Sequence, residues 1–369
     1  MDKGLTKNHS KMLQGLAILM MLYHHLFSTP EALGVDYVSL LKFGEANIEL
    51  HMAWFFKICV GIYAFVSGYG LCRVLANADS TRSILIKTDE RFFEHLVRDY
   101  KIVLKQLFWF YIQFWLVFFI FIPVGFIFYR RKFDLSEFLL NLFGISSTYN
   151  GAWWYVAFYT KILLILPLCD CVLTLFKSSK EKLIEALFYI AILGALLAFY
   201  IADSFYFGRF VSSFQPAFLL CFLVGFLISR FQLYELAIRL FTKKIAYALG
   251  ILGFILVIAC RVKIAKDASS AGLDFIFVPV FVFGFVVLME LWTPVSKIFE
   301  YMGKYSTFMW LTHVFFYDHY SKKLVMASHV SIGIYLMLLI LSFASAYVLD
   351  VLYKLVRRIA GNALSLRRI

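Results

Sequence analysis

Long apolar runs alternate with short polar segments along all 369 residues of the chain. Ten runs reach, or nearly reach, the roughly 20 residues a helix needs to cross a bilayer. They occupy 10–28, 54–76, 106–129, 151–175, 183–202, 213–229, 245–262, 272–292, 307–325 and 331–353. This pattern predicts an all-α, polytopic transmembrane helix bundle of about ten spans. The longest connections, 29–53 and 77–105, are too short for a separate folding unit. The whole of 1–369 therefore reads as one integral membrane domain with no fused soluble domain.

The first run is interrupted in an ordered way. It begins Lys11-Met-Leu-Gln14 and ends Tyr23-His24-His25-Leu-Phe27, with apolar residues between. No small-residue cleavage site follows it, so it reads as a retained span and not a signal peptide. At about 100° per residue, eleven residues close about three turns, which sets Gln14 and His25 nearly in line, about 16 Å apart. His24 is rotated off that line, and Lys11 lies within roughly 40° of it. One helix face thus carries a cation, an amide and an imidazole. Ionisable groups inside a membrane helix are expensive, and they mark functional sites by default.

Composition narrows the class. With 62% hydrophobic and only 16% charged residues, the chain cannot cover a soluble surface. If the N-terminus is inside, about 24 Lys and Arg side chains fall on inner segments and about 10 on outer ones,. That asymmetry predicts cytoplasmic termini on a multi-pass protein of the plasma or inner membrane. It also assigns the net charge of +13 to juxtamembrane loops among lipid headgroups, so no nucleic-acid partner is expected. No Walker or dinucleotide glycine loop is present, which argues against a nucleotide-driven pump. Cys59, Cys72, Cys169, Cys171, Cys221 and Cys260 lie in apolar runs and read as buried thiols,. Cys169-Asp170-Cys171 is too tight and isolated for a metal, and none is expected.

Several stretches carry candidate chemistry. His25 lies past the midpoint of its run, where an imidazole is suited to general-base work on a hydroxyl or, alternatively, to an interhelical packing bond. Arg98, Lys101 and Lys105 share a helical face at the mouth of the third run,. They fit either positive-inside anchoring or a phosphate-binding cluster. Trp153, Trp154 and Tyr155 open the fourth run as an interfacial belt or as a platform for a sugar ring or acyl chain. Trp310 and His313 share a face of the ninth run,. The glycines of Phe65-Val-Ser-Gly-Tyr-Gly70 read as close-packing positions,.

In order and spacing, the segments Leu13–His25, Phe65–Gly70, Gly151–Tyr155 and Met302–His313 resemble the acyltransferase 3 family of integral membrane acyltransferases. The resemblance runs from about residue 8 to about 353. It implies transfer of an acyl group, commonly acetyl from acetyl-CoA, to a hydroxyl or amine of a carbohydrate or other envelope molecule. It also implies that His25 is catalytic. The family places a basic residue eleven positions before that histidine, where this chain has Gln14, with Lys11 one turn earlier. The family's paired arginines at the third span are represented only by Arg98, Lys101 and Lys105. Lys11, Gln14 and these three become the candidate donor contacts.

The expected activity is therefore an O-acetyltransferase using acyl-CoA as donor substrate, with no permanently bound cofactor and a carbohydrate or glycolipid acceptor. Trp153, Trp154, Tyr155, Trp310 and His313 are candidates for lining the acceptor path. Two other classes stay open: a secondary transporter or exporter of a polar envelope molecule, and a non-catalytic family member. Interrupted half-helices in matched halves, the best pointer to a transporter, are not evident in the sequence.

Overall fold

Thr6 starts the first helix by a reciprocal cap. Its hydroxyl accepts from the His9 N–H at 3.1 Å while His9 Nδ1 accepts from the Thr6 N–H at 3.3 Å, filling two amides that a helix start leaves unbonded. In this computed structural model residues 4–43, 46–80, 91–129, 131–174, 216–265 and 272–366 are described, with isolated positions between 187 and 198. The predicted span 183–202 lies largely outside the described residues.

The helices are α1 (Lys7–Phe27), α2 (Pro30–Leu33), α3 (Ile48–Phe55), α4 (Ile58–Ser80), α5 (Arg91–Phe128), α6 (Leu135–Leu142) and α7 (Trp154–Thr174). After the gap come α8 (Pro216–Arg230), α9 (Leu233–Leu240), α10 (Lys243–Ile264), α11 (Asp274–Leu291) and α12 (Thr293–Val314). A π-helical turn (Phe315–His319), α13 (Lys322–Met326) and α14 (Ser331–Leu366) complete the order. A two-residue hairpin pairs Lys42–Phe43 with Ala46–Asn47. The architecture is otherwise helical, and among the described residues six helical segments are long and apolar enough to cross a membrane. The count is seven if α8 and α9, which meet at 55°, form one bent span.

Gln232 makes that bend with left-handed backbone at φ 52°. An Arg73–Glu235 ion pair holds α9 against α4, and Tyr69 receives the Arg73 guanidinium on its hydroxyl at 3.0 Å. A second pair, this one buried, joins α10 to α11, with Arg261 Nε and Nη2 on the two carboxylate oxygens of Asp274 at 2.6 and 3.1 Å. Both side chains are 2% exposed.

One boundary is corrected. The ninth run, expected at 307–325, belongs to a helix that begins at Thr293 and ends at Val314. Thr293-Pro294 is a favourable helix start, and the polar Lys297, Glu300 and Lys304 that follow hid it from an apolarity criterion. α5 likewise extends back to Arg91, because nothing between 91 and 105 breaks a helix.

The two helices richest in polar residues, α1 and α12, are not among the membrane-length apolar segments, yet they form the centre of the bundle. Leu13, Ala17, Ile18, Leu22 and Leu26 on α1 are fully buried, as are Met309, Leu311, Thr312 and His313 on α12. Their backbones nearly touch. A Cβ on Gly15 would lie 1.8 Å from the Phe299 carbonyl oxygen, and one on Gly303 would lie 1.7 Å from that of Lys11. Only glycine fits at such a crossing. α4 and α8 repeat the device, with Gly68 against the Phe222 carbonyl and Gly225 against that of Phe65.

Candidate active site

The glycine crossing sets the register of α1 on α12. Gly15 precedes His25 by ten residues and Gly303 precedes His313 by ten, so two parallel helices crossing at the glycines meet again at the histidines. The ring centroids of His25 and His313 are 5.0 Å apart. Tyr317, in the π-helical turn, stacks on both, at 6.2 Å from His25 and 5.9 Å from His313.

The two neighbouring histidines of α1 have different surroundings. His24 is 4% exposed and its Nδ1 is bonded to the Ala53 carbonyl at 2.8 Å, which ties α1 to α3. His25 is half-buried and faces a cavity of about 640 Å³, a volume typical of small-molecule sites, which run from roughly 300 to 1,000 Å³. α1, α4, α5, α7, α12 and α14 wall it. At one end stand Lys105 in the first half of α5 and Arg357 in the last third of α14; at the other stand His24, His25 and Lys57. Between them lie Gln14, Tyr63, Gln106 and Gln113, then an aromatic side formed by Trp109, Phe110, Trp154, Tyr155, Tyr159 and Trp310.

The aromatic side is latched to the end of α12. Leu311 is one of the last four residues of that helix, whose carbonyls have no partner within it. Asn150 Nδ2 and Trp153 Nε1 both donate to the Leu311 oxygen, at 3.2 and 3.0 Å. Trp310 Nε1 returns a bond to the Ala152 carbonyl at 3.2 Å. Trp310 is thereby held parallel to Phe110 (8° between planes) and edge-on to Tyr155.

The residues singled out in the sequence divide into two sets. His25, Gln14, Lys105, Trp154, Tyr155 and Trp310 line the one cavity. Lys11 and Lys101 are exposed, and neither belongs to the wall. Arg98 is turned to Asp99 (2.6 Å) and His95 (3.0 Å), so the three-cation face delivers only Lys105. Trp153 and His313 are fully buried behind the wall, Trp153 among Phe114, Phe118 and Phe315 and His313 behind His25. Sequence reasoning passed over Lys57, Gln106, Gln113 and Arg357. The glutamines had a readable signal, since polar residues seven apart fall on one face of an apolar helix. Arg357 had none, because it resembles any other basic residue at the end of a span.

A polar-lined, aromatic-sided cavity inside a helix bundle, cationic at one end and ending on imidazoles at the other, has the chemistry to take a polar, anionic small molecule,. The family model described as an acyltransferase domain, Acyl_transf_3, matches residues 11–351. The chain belongs to the acyltransferase 3 family and is a multi-pass membrane acyltransferase. Comparison with curated proteins and with solved structures gives no match.

Proposed function

We propose that the protein moves an acetyl group from acetyl-CoA to a hydroxyl of a cell-envelope carbohydrate or lipid-linked glycan, with His25 as general base. The observation that supports this most directly is the cavity's polarity, which leads from two cations, Lys105 and Arg357, to His25. Phosphates of the donor bind at the cationic end, where a guanidinium and an ammonium suit oxyanions. Arg357 replaces Arg98 and Lys101 in that role. Gln14 and Gln106 offer amides to the donor arm, which carries the thioester toward His25.

His25 takes the proton of the acceptor hydroxyl as its oxygen attacks the thioester carbonyl carbon. The C–S bond then breaks, the ester forms, and the sulfur leaves as a thiol with the proton His25 had taken. Lys57 stands at this end of the cavity. Its acidic neighbour Asp274 is already held by Arg261, which leaves the ammonium to face the oxyanion of the tetrahedral intermediate. Trp154, Tyr155 and Trp310 line the acceptor's approach, with Trp153 fixing Trp310 from behind through Leu311.

In this reading α1 and α12 also cross the membrane, shielded from lipid by the surrounding helices. With the run 183–202 they bring the spans to about ten, with both termini and the Lys105–Arg357 end cytoplasmic in the plasma membrane. The deciding experiment supplies labelled acetyl-CoA to membranes containing the protein and follows label into the envelope glycan fraction. Transfer is expected with the native chain and reduced about 100-fold or more with His25→Ala. Equal labelling by both would overturn the assignment of the base.

A further inference from the structure

His313 lies outside the cavity wall and behind the side chain that the reaction uses. It is fully buried, and its Nδ1 is 2.7 Å from the Trp310 carbonyl oxygen. A carbonyl only accepts, so Nδ1 carries the proton and the ring is held in that tautomer. Nε2 is then a bare lone pair. It is buried and has no hydrogen-bond partner, a costly state for a polar atom.

The ring beside it on α1 is that of His25, at 5.0 Å between centroids. Two imidazoles joined by one N–H···N bond have centroids roughly 5 Å apart, the N···N span plus two ring radii. The present spacing, with 48° between the planes, admits such a bond when the His25 ring turns an N–H toward Nε2. Tyr317, stacked on both rings, limits where either can go.

We infer that His313 is a positioning residue, which accepts the ring N–H of His25 and so leaves the opposite nitrogen of His25 unprotonated toward the cavity. This rests on the reading of His25 as the base. A free imidazole exchanges its proton between two nitrogens, and only one tautomer presents a lone pair to the acceptor hydroxyl. In hydrolases with a buried carboxylate behind the catalytic histidine, that carboxylate selects the tautomer. Here a neutral imidazole, its own proton fixed by the Trp310 carbonyl, does the same work without bringing a charge into the bundle. The glycine crossing ten residues away holds the two rings at this spacing.

Three variants test this. His313→Leu keeps the bulk and removes the acceptor; His313→Gln puts an amide oxygen near the place of Nε2; His25→Gln assigns the His25 signals in nitrogen spectra of histidine-labelled protein by removing them. The native protein is expected to show His25 as a single tautomer, and His313→Leu as a mixture. Turnover of acetyl-CoA should fall about 100-fold in His313→Leu, with KM for acetyl-CoA within about threefold, and His313→Gln should recover to within about tenfold of native. An unchanged single tautomer in His313→Leu, or turnover within twofold of native, would overturn the proposal. The tautomer measurement needs no activity, so it stands apart from the outcome for His25 as base. If His313→Leu does not fold, His313→Phe, which also lacks an acceptor at that place, carries the same comparison.

Discussion

His24 and His25 differ by one position and about 100° of helix rotation, and that rotation decides their chemistry. Both reach the cavity, but His24 is 4% exposed and commits Nδ1 to the Ala53 carbonyl, whereas His25 is half-buried. Replacing His25 with alanine should lower acetyl transfer by a factor of about 10²–10⁴, the usual contribution of a positioned base. His24→Ala should leave the rate within about tenfold and lower thermal stability by about 1–2 kcal/mol for the lost bond. Rates and melting in detergent measure both. At the other end, Lys105→Ala and Arg357→Ala should each raise KM for acetyl-CoA about tenfold or more with little change in kcat, since a phosphate contact made before and during the reaction contributes binding alone. Steady-state kinetics separates these from Lys57→Met, expected to lower kcat.

Between elements, apolar area matters less than how close backbones can come. Lipid is as apolar as leucine, so helices in a membrane associate through close packing and buried polar bonds. Gly15 and Gly303 let α1 and α12 touch. Gly303→Leu should therefore reduce folded yield and activity together, while Gly70→Ala, with nothing within 4 Å of the added atom, should leave both near native. Size-exclusion profiles and transfer assays on the pair distinguish local crowding from loss of the site. The Arg261–Asp274 pair gives a second test. Arg261→Leu leaves a buried carboxylate without its partner and should destabilise by about 3–5 kcal/mol, whereas Arg261→Leu with Asp274→Leu should recover most of that loss. Denaturation in mixed micelles reads the difference.

For the whole molecule, the cavity's asymmetry makes a prediction about sides. Lys105 lies in the first half of α5 and Arg357 in the last third of α14, and His25 lies about 16 Å further along α1 from Gln14. Acetyl-CoA should therefore support transfer when supplied to inverted vesicles and fail when supplied to sealed vesicles of native orientation. Assaying both preparations before and after permeabilisation checks this; equal activity in both sealed forms would contradict a one-sided donor site.

Sequence alone determined the class. Hydrophobicity integrated over 20 residues is a property of composition, and it survives without any knowledge of packing. The segments of α4, α5, α7, α10, α11 and α14 could thus be read off, as could the face of α1 from Gln14 to His25, because helical periodicity is local. The order of a few motifs also pointed to the family. What the sequence could not decide is which faces meet. Nothing local relates residue 15 to 303, and the start of α12 was lost because Lys297, Glu300 and Lys304 look like a loop to an apolarity measure. Arg98 and Lys105 were indistinguishable until packing turned one toward Asp99 and the other toward the cavity. The histidine pair opposite Trp310 exists only because two helices far apart in sequence cross at glycines the same distance below it, a coincidence of register that tertiary contact alone can create.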